Sequence, residues 1–285
     1  MRVGIIGAGK VGSALCKSLR DAGVEICGLT AGTREIAEAA AIKFNVPCFA
    51  SNEKLAAACD TLFLTVPDRL IGEVALSLAN SFSEEAEALT GKTFFHCSGS
   101  LGLEELQPLA ALGAEIGSFH PLQSFASAEV SFRGVYIAVD GTAEAQKTGK
   151  ELATILAALA FNVPAAERKA YHAAACFASN YVVAAMAVAQ ELMSKWTPTP
   201  EAGLAALLPL FDGTARNLHQ TKLAREVLTG PIARGDINTI KAHLAVLPPE
   251  LLDMYKALGR QTVCLARDNG TIDEKQAQAM QGVLQ

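Results

Sequence analysis

The chain reads as an α/β protein, a doubly wound parallel sheet followed by an all-helical second domain. Three observations predict this. From residue 1 to about 163, β-rich runs alternate with segments of helical period, the pattern that builds right-handed βαβ units with helices on both faces of a parallel sheet. From residue 168 onward only helical periodicity remains. No repeat or low-complexity tract parts the halves, so residues 162–167 form a short hinge between a domain at 1–163 and a domain at 164–285.

In order along the chain, the predicted strands are 3–6, 25–29, 61–65, 93–95, 115–119 and 135–139, with helical segments such as 11–20 and 34–44 between them. In the second half the helices break at Thr197-Pro198-Thr199-Pro200, Gly230-Pro231, Pro248-Pro249 and Asn269-Gly270. Segment 173–189 is the most apolar. A membrane helix needs about 20 predominantly apolar residues with anchoring flanks. Here Ser179 and Asn180 interrupt the run and Tyr171-His172 precede it, so a helix buried inside protein is expected rather than a membrane span.

Composition narrows the function classes. With 285 residues, 51% of them hydrophobic and only 19% charged, the chain can bury a sizeable core. A net charge of -5 and no run of Lys or Arg give no footprint for a phosphate backbone, so nucleic acid is not an expected partner. The opening MRVGIIGAG lacks an unbroken apolar stretch and a cleavage site, which points to the cytoplasm. Seven cysteines without a CxxC fit reduced thiols, and five histidines without an HxxxH leave no legible metal site.

Gly7-Ala8-Gly9-Lys10-Val11-Gly12 is a GxGxxG between the first strand and the first helix. The first Gly permits the tight turn, the second lets backbone approach a diphosphate, and the third allows close packing, with the diphosphate over the helix N-terminus. A dinucleotide site follows from that context. The second strand runs into Leu29-Thr30-Ala31-Gly32-Thr33-Arg34 with no acid until Glu35. Without a carboxylate to repel a 2'-phosphate, and with Thr30, Thr33 and Arg34 able to bind one, NADP is expected over NAD; Arg34 also reads as a solvated first-turn residue. Val66 and Pro67 follow the 61–65 strand and line the same crevice, with Asp68 a helix N-cap.

His96-Cys97-Ser98-Gly99-Ser100 and Ser118-Phe119-His120-Pro121 leave the sheet at the same edge as the GxGxxG turn. Ser98 and His120 should therefore face the nicotinamide end, His120 holding a substrate carboxylate and Ser98 orienting the carbonyl; the plainer alternative is that both satisfy loop backbone. At 3.6 residues per turn, Lys169, His172, Cys176 and Ser179 or Asn180 fall along one stripe of an Ala-rich helix. Such a stripe offers a proton donor, Lys169 or His172, and an orienting amide, Asn180, unless it only joins helix to sheet. Arg234, in Gly230-Pro231-Ile232-Ala233-Arg234-Gly235-Asp236, can clamp an anionic substrate or pair with Asp212 or Asp236, and Asp236 reads as an N-cap.

Together GxGxxG, LTVPD, HCSG, FHPLQSF, YHAAACFASNY and GPIARGD resemble a bacterial two-domain NADP-oxidoreductase-like family, in which a Rossmann-like half precedes a helical domain of unknown function. The resemblance covers nearly the whole chain, and its last three motifs are the more specific. It implies kinship with the 6-phosphogluconate dehydrogenase-like superfamily, which includes prephenate dehydrogenase, pyrroline-5-carboxylate reductase and ketopantoate reductase. His120-Pro121 is similar to the His-Pro of prephenate dehydrogenases. Lys169 and Asn180 resemble the Lys and Asn of hydroxyacid dehydrogenases, at a longer spacing than Lys-x-x-x-Asn. Gly32 stands near where relatives often carry an Arg, so the phosphate clamp here rests on Arg34 or is weaker.

The expected function is NADP-dependent hydride transfer with a small anionic 2-oxo or 2-hydroxy acid, on the pattern of ketopantoate reductase. Prephenate-type oxidative decarboxylation and cyclic imine reduction are the enzymatic alternatives, and a nucleotide-sensing protein without turnover is the alternative of another class. A homodimer built by the Ala- and Leu-rich helical half is also expected.

Overall fold

The computed structural model describes residues 1–84 and 87–285. Its first half runs β1 (Arg2–Ile6), α1 (Lys10–Asp21), β2 (Glu25–Thr30), α2 (Arg34–Phe44), α3 (Asn52–Ala58), β3 (Thr61–Leu64), α4 (Asp68–Ser81), β4 (Thr93–His96), α5 (Gln107–Ala110), β5 (Glu115–Pro121), β6 (Tyr136–Gly141), α6 (Ala143–Ile155) and β7 (Leu159–Asn162). The strands form one sheet in the order β2-β1-β3-β4-β5-β6-β7. Reversal of direction from β1, to β2 on one side and β3 on the other, creates the switch point where such sheets bind ligands.

All six expected strands are present, and two features differ from expectation. The sheet is not wholly parallel: β6 runs antiparallel to β5, because the 122–135 connection contains no crossover helix and the chain turns straight back. A seventh strand, β7, pairs parallel with β6. Its four residues Leu-Ala-Phe-Asn sit at the sheet edge with no buried position, so they carry no alternation to recognise.

Helices cover both faces. Phe95 and its neighbour Phe94 point to opposite sides, as the strand period requires. On one side Phe63 stacks on Phe95 and Phe119 meets both at a steep angle, with centroids 5.3–5.9 Å apart, in one core with Leu15 and Leu19 of α1. On the other, Leu62, Leu64 and Phe94 meet Leu55 of α3 and Ile71 and Leu78 of α4. Burial of this kind stabilises by roughly 1.5–3 kcal/mol per large apolar side chain.

Six longer helices follow: α7 (Arg168–Ala178), α8 (Asn180–Met193), α9 (Pro200–His219), α10 (Ile237–Val246), α11 (Pro249–Asp268) and α12 (Glu274–Val283). Every expected break falls between helices. Asp236 caps α10 through the Thr239 amide at 3.1 Å. The chain divides into compact units 1–183 and 184–285. α7 therefore goes with the sheet, held there by Arg168, beyond the expected 163/164 boundary. The second unit has its own core of Ile240, Val263, Ile272, Met280 and Leu284.

Segment 173–189 corrects an expectation. Phe177 and Val183 are each 68% exposed and α8 has no buried residue. One chain does not supply the partners that burial requires. The stretch Ala165–Met193 is long and apolar enough to cross a membrane by length and composition, but Ser179, at φ -130° and ψ -73°, breaks it in two.

Candidate functional site

The Gly-rich turn is built for a close backbone approach. Gly7 has φ +109°, its amide donates to the Thr30 carbonyl at 3.0 Å, and its own carbonyl accepts the Thr65 hydroxyl at 2.6 Å. A Cβ on Gly12 would overlap that carbonyl oxygen and the Thr65 hydroxyl. Gly9 is the N-cap of α1, where no side chain caps the helix, no acid stands in the first turn, and a Cβ would meet nothing within 4 Å. Open space over an uncapped helix N-terminus fits the diphosphate of a dinucleotide. Lys10, at the first helical position, is exposed, and Val11 is half-buried.

At the end of β2, Thr30 is buried and donates its hydroxyl hydrogen to Asn52 Oδ1 at 2.6 Å, so it does not offer a phosphate a free donor. Thr33 caps α2 by accepting from the Ile36 amide. The Arg34 side chain is 83% exposed and engages Glu38 through Nε at 2.6 Å. Glu35 follows in the first turn of α2, where its own backbone amide and the Thr33 hydroxyl hold its carboxyl below the usual range.

Val66 is half-buried and Pro67 takes the N-cap position of α4, which displaces Asp68 from the expected cap to the first helical residue. The Asp68 carboxylate instead accepts from Ser98 Oγ at 2.6 Å. Ser98 Oγ also accepts the Ser100 and Leu101 amides at 3.2 and 3.1 Å. Ser98 is thus a loop fastener without a free donor for a carbonyl. His96, fully buried, completes the loop: Nε2 meets the Gly102 carbonyl at 2.9 Å and Nδ1 accepts the Ser98 amide at 3.2 Å. Burial first, then the Arg168 charge, push its pKa down to about 4.

That loop presents Gly99 to two imidazoles. A Cβ there would lie 2.6 Å from His172 Nδ1 and 2.8 Å from His120 Nε2. Arg168, with no exposed surface, donates to the Ser98 carbonyl at 3.2 Å and to the Ser118 hydroxyl, and so pins the start of α7 to the ends of β4 and β5. One turn further on, the Tyr171 hydroxyl lies 2.7 Å from His120 Nδ1. His172 stands edge-to-face on His120 with ring centroids 6.1 Å apart. These three side chains, with Gln123, Ser124, Ser179, Asn180 and Ala174, Ala175 and Ala178 of α7, line an open cleft of about 520 Å³.

Burial holds His120 neutral down to about pH 4, with His172 and Arg168 acting in the same direction, and raises the Tyr171 phenol to about 12 against the pull of Arg168. At neutral pH the pair is imidazole and phenol. When Nδ1–H of His120 donates to the phenol oxygen, the Tyr171 hydrogen is free for a substrate.

Of the residues predicted from sequence, His120, His172 and Asn180 come together here. Lys169 does not: it is exposed, about 100° round the helix from Arg168, and the buried cation is Arg168 itself. Cys176 is half-buried outside the cavity lining. Arg234 ends a short turn in the second unit, exposed, and among the described residues it makes no ion pair with Asp212 or Asp236. Sequence reading passed over Tyr171, Arg168 and Gly99. The i, i+3, i+4 spacing of Arg168, Tyr171 and His172 was the signal available for the first two.

Residues 1–121 match a Rossmann-like domain, and residues 135–262 match a domain of unknown function, DUF2520. The chain thus joins a Rossmann-like domain to a DUF2520 domain. Among solved structures, it is similar to a candidate NADP oxidoreductase from Bacteroides fragilis, with 25% identity over 92% of this chain and 97% of the other and a TM-score of 0.73. A 1-pyrroline-5-carboxylate reductase from Streptococcus pyogenes shares the fold at 17% identity, 99% and 98% coverage and TM-score 0.62. So does a reductive aminase from Aspergillus terreus in complex with NADPH and ethyl levulinate, at 15% identity, 99% and 92% coverage and TM-score 0.60. No curated protein matches the chain.

Proposed function

We propose that this protein is an NADP-dependent oxidoreductase acting on the carbonyl or imine carbon of a small molecule, with Tyr171 as proton donor and His120 as its polarising partner. The observation that carries the reading is the 2.7 Å contact between the Tyr171 hydroxyl and His120 Nδ1, in a cavity at the same sheet edge as the Gly-rich turn. The Bacteroides and Aspergillus structures, described respectively as a candidate NADP oxidoreductase and an NADPH complex, support the choice of cofactor.

The first turn of α1 and the backbone of Gly7 and Gly9 would hold the diphosphate, and Arg34 the 2'-phosphate. NADP, when bound, supplies or accepts the hydride. Tyr171 donates its proton to the oxygen or nitrogen on which negative charge grows, and His120 Nδ1–H stabilises the phenolate left behind. His172 packs against His120 and closes one side. Asn180 and Gln123 orient the substrate by hydrogen bonds. Alanines 174, 175 and 178 make one wall low and apolar, which leaves room for the substrate.

The small 2-oxo acid and the cyclic imine both fall within this class. A purely nucleotide-sensing protein has no use for a phenol–imidazole pair in a cavity. The seven free cysteines fit a reducing compartment and support a cytoplasmic place. The test is a panel of 2-oxo acids, neutral ketones, cyclic imines and prephenate with NADPH, NADP, NADH and NAD, followed by nicotinamide absorbance. Turnover with any member supports the reading, and cofactor binding without turnover across the panel sinks it.

A further inference from the structure

Arg168 is a buried cation without a counter-ion. Its side chain has no exposed surface, and among the described residues no carboxylate lies within ion-pair distance of it. Asp140 and Glu104 act on it only from beyond that distance, and Asp68 is engaged by Ser98. The guanidinium donates to the Ser98 carbonyl and the Ser118 hydroxyl, while its Nε has no partner. Burial lowers its pKa, but a guanidinium starts so high that it stays charged. An unpaired buried charge is costly. A neutral glutamine could give hydrogen bonds to the same two oxygens without that cost, so mooring alone does not explain the charge.

Its position does. Side chains two apart on a strand share a face, so Ser118 and His120 of β5 stand on the same side of the sheet, about 7 Å apart along the strand. Residues three and four apart on a helix are neighbours, which sets Tyr171 and His172 beside Arg168 on α7. The cation is thus moored next to both members of the phenol–imidazole pair and to the Gly99 loop that abuts the imidazoles. We propose that Arg168 is a positioning residue for proton transfer: it never touches substrate, and its unpaired charge favours the negative charge left on Tyr171 when the phenol gives up its proton. The inference rests on the oxidoreductase reading and deepens it. As the Tyr171 O–H bond breaks, the proton passes to the substrate oxygen or nitrogen. The electron pair stays on the phenol oxygen, where a fixed cation shielded from water by burial acts strongly. The same charge opposes a proton on the imidazoles. Burial first, with Arg168 acting in the same direction, holds His96 and His120 neutral down to about pH 4, and at Tyr171, which burial raises, Arg168 pulls downward.

Arg168→Gln keeps hydrogen-bond donors and removes the charge, with Arg168→Met as the second variant should the first fail to fold. Of the titratable groups around His120, namely Tyr171, His172, His96, Asp68 and Arg168, only the last is altered. Imidazole NMR on the full chain, with the His120 signal identified by its loss in His120→Asn, needs no substrate. His120 should titrate about half a pH unit or more higher in the neutral variant, and Arg168→Lys, which keeps the charge, should stay closer to wild type. An unmoved His120 overturns the proposal. With any substrate that the wild type accepts, Arg168→Gln should lose about tenfold or more in turnover while NADPH affinity stays within about twofold, and Arg168→Lys should retain more of the rate. Equal loss in the two variants would assign the effect to the guanidinium's shape and overturn the role of its charge. Turnover by the wild type with an unmoved His120 sinks this inference alone. A shifted His120 in a protein that turns over no panel member sinks the oxidoreductase reading, and the role of Arg168 with it.

Discussion

The Tyr171 hydroxyl sits 2.7 Å from His120 Nδ1, a contact that joins the first turns of α7 to the end of β5 across 51 residues of chain. In the proposed reaction this contact gives the proton-donating phenol a partner already in place. Tyr171→Phe keeps the ring and removes the proton, so turnover should fall by roughly a hundredfold or more while NADPH affinity stays within about twofold of normal. Steady-state rates and fluorescence titration check both. Lys169→Ala, on the exposed side of α7, should change neither.

Gly99 keeps its place because a Cβ would strike both imidazoles. Gly99→Ala should push His120 and His172 out of register, lowering turnover by about tenfold or more with little change in thermal midpoint, since the loop's own fasteners His96, Ser98 and Asp68 remain. A normal rate in a folded Gly99→Ala protein would mean that the imidazole positions do not matter to chemistry.

Cofactor preference should lie with NADPH. Arg34→Ala removes the exposed guanidinium beside the end of β2 and should cost NADPH about tenfold in affinity while leaving NADH unchanged. Gly12→Val should weaken both, because its side chain overlaps the Gly7 carbonyl and Thr65. Equal loss of the two cofactors in Arg34→Ala would show that the ribose end is read elsewhere.

Stability should fall as acid is added well before the carboxylates titrate. His96 and His120 are held neutral to about pH 4 in the folded chain, against an ordinary value of 6.5. Between those values the unfolded chain binds protons that the folded chain refuses. Their contribution is full above pH 6.5 and is lost as pH falls to about 4, on the order of 3 kcal/mol for fully buried His96. Urea midpoints that stay level from pH 7 to 5 would contradict this.

A homodimer is the expected state. Phe177 and Tyr181, at the junction of α7 and α8, lie edge-to-face with ring centroids 5.0 Å apart and stand 68% and 54% exposed, an apolar pair that a second copy of the chain would cover. Sedimentation at micromolar concentration should give about twice the 29.8 kDa chain mass, and Phe177→Glu should return it to the monomer. A wild-type monomer would leave that face in need of another occupant.

Local chemistry alone determined much of this protein. α2 occupies the residues its pattern predicts, 34–44, because its signals are carried by adjacent residues: Thr33 as cap, Glu35 in the first turn, Lys43 in the last, and Asn45 in the left-handed conformation that ends it. The Gly-rich turn was legible because the positive φ of Gly7 and the approach of Gly12 to the Gly7 carbonyl fall within six residues. So were the Pro and Gly breaks between α8 and α12.

Tertiary structure decided the rest, because side-chain partners come from far along the chain and leave no trace in periodicity. Thr30 and Ser98 look like free hydroxyls in sequence, and only the fold spends them on Asn52 and Asp68. Lys169 and Arg168 are neighbours of equal charge. Which one is buried depends on where β4 and β5 end relative to the first turn of α7, and there Ser98 and Ser118 receive Arg168. β7 exists because β6 offers it an edge, not because Leu-Ala-Phe-Asn insists on being a strand. Sequence carries the signals that act over one turn or one strand; the identity of a proton donor depends on which distant group it faces, and packing alone settles that.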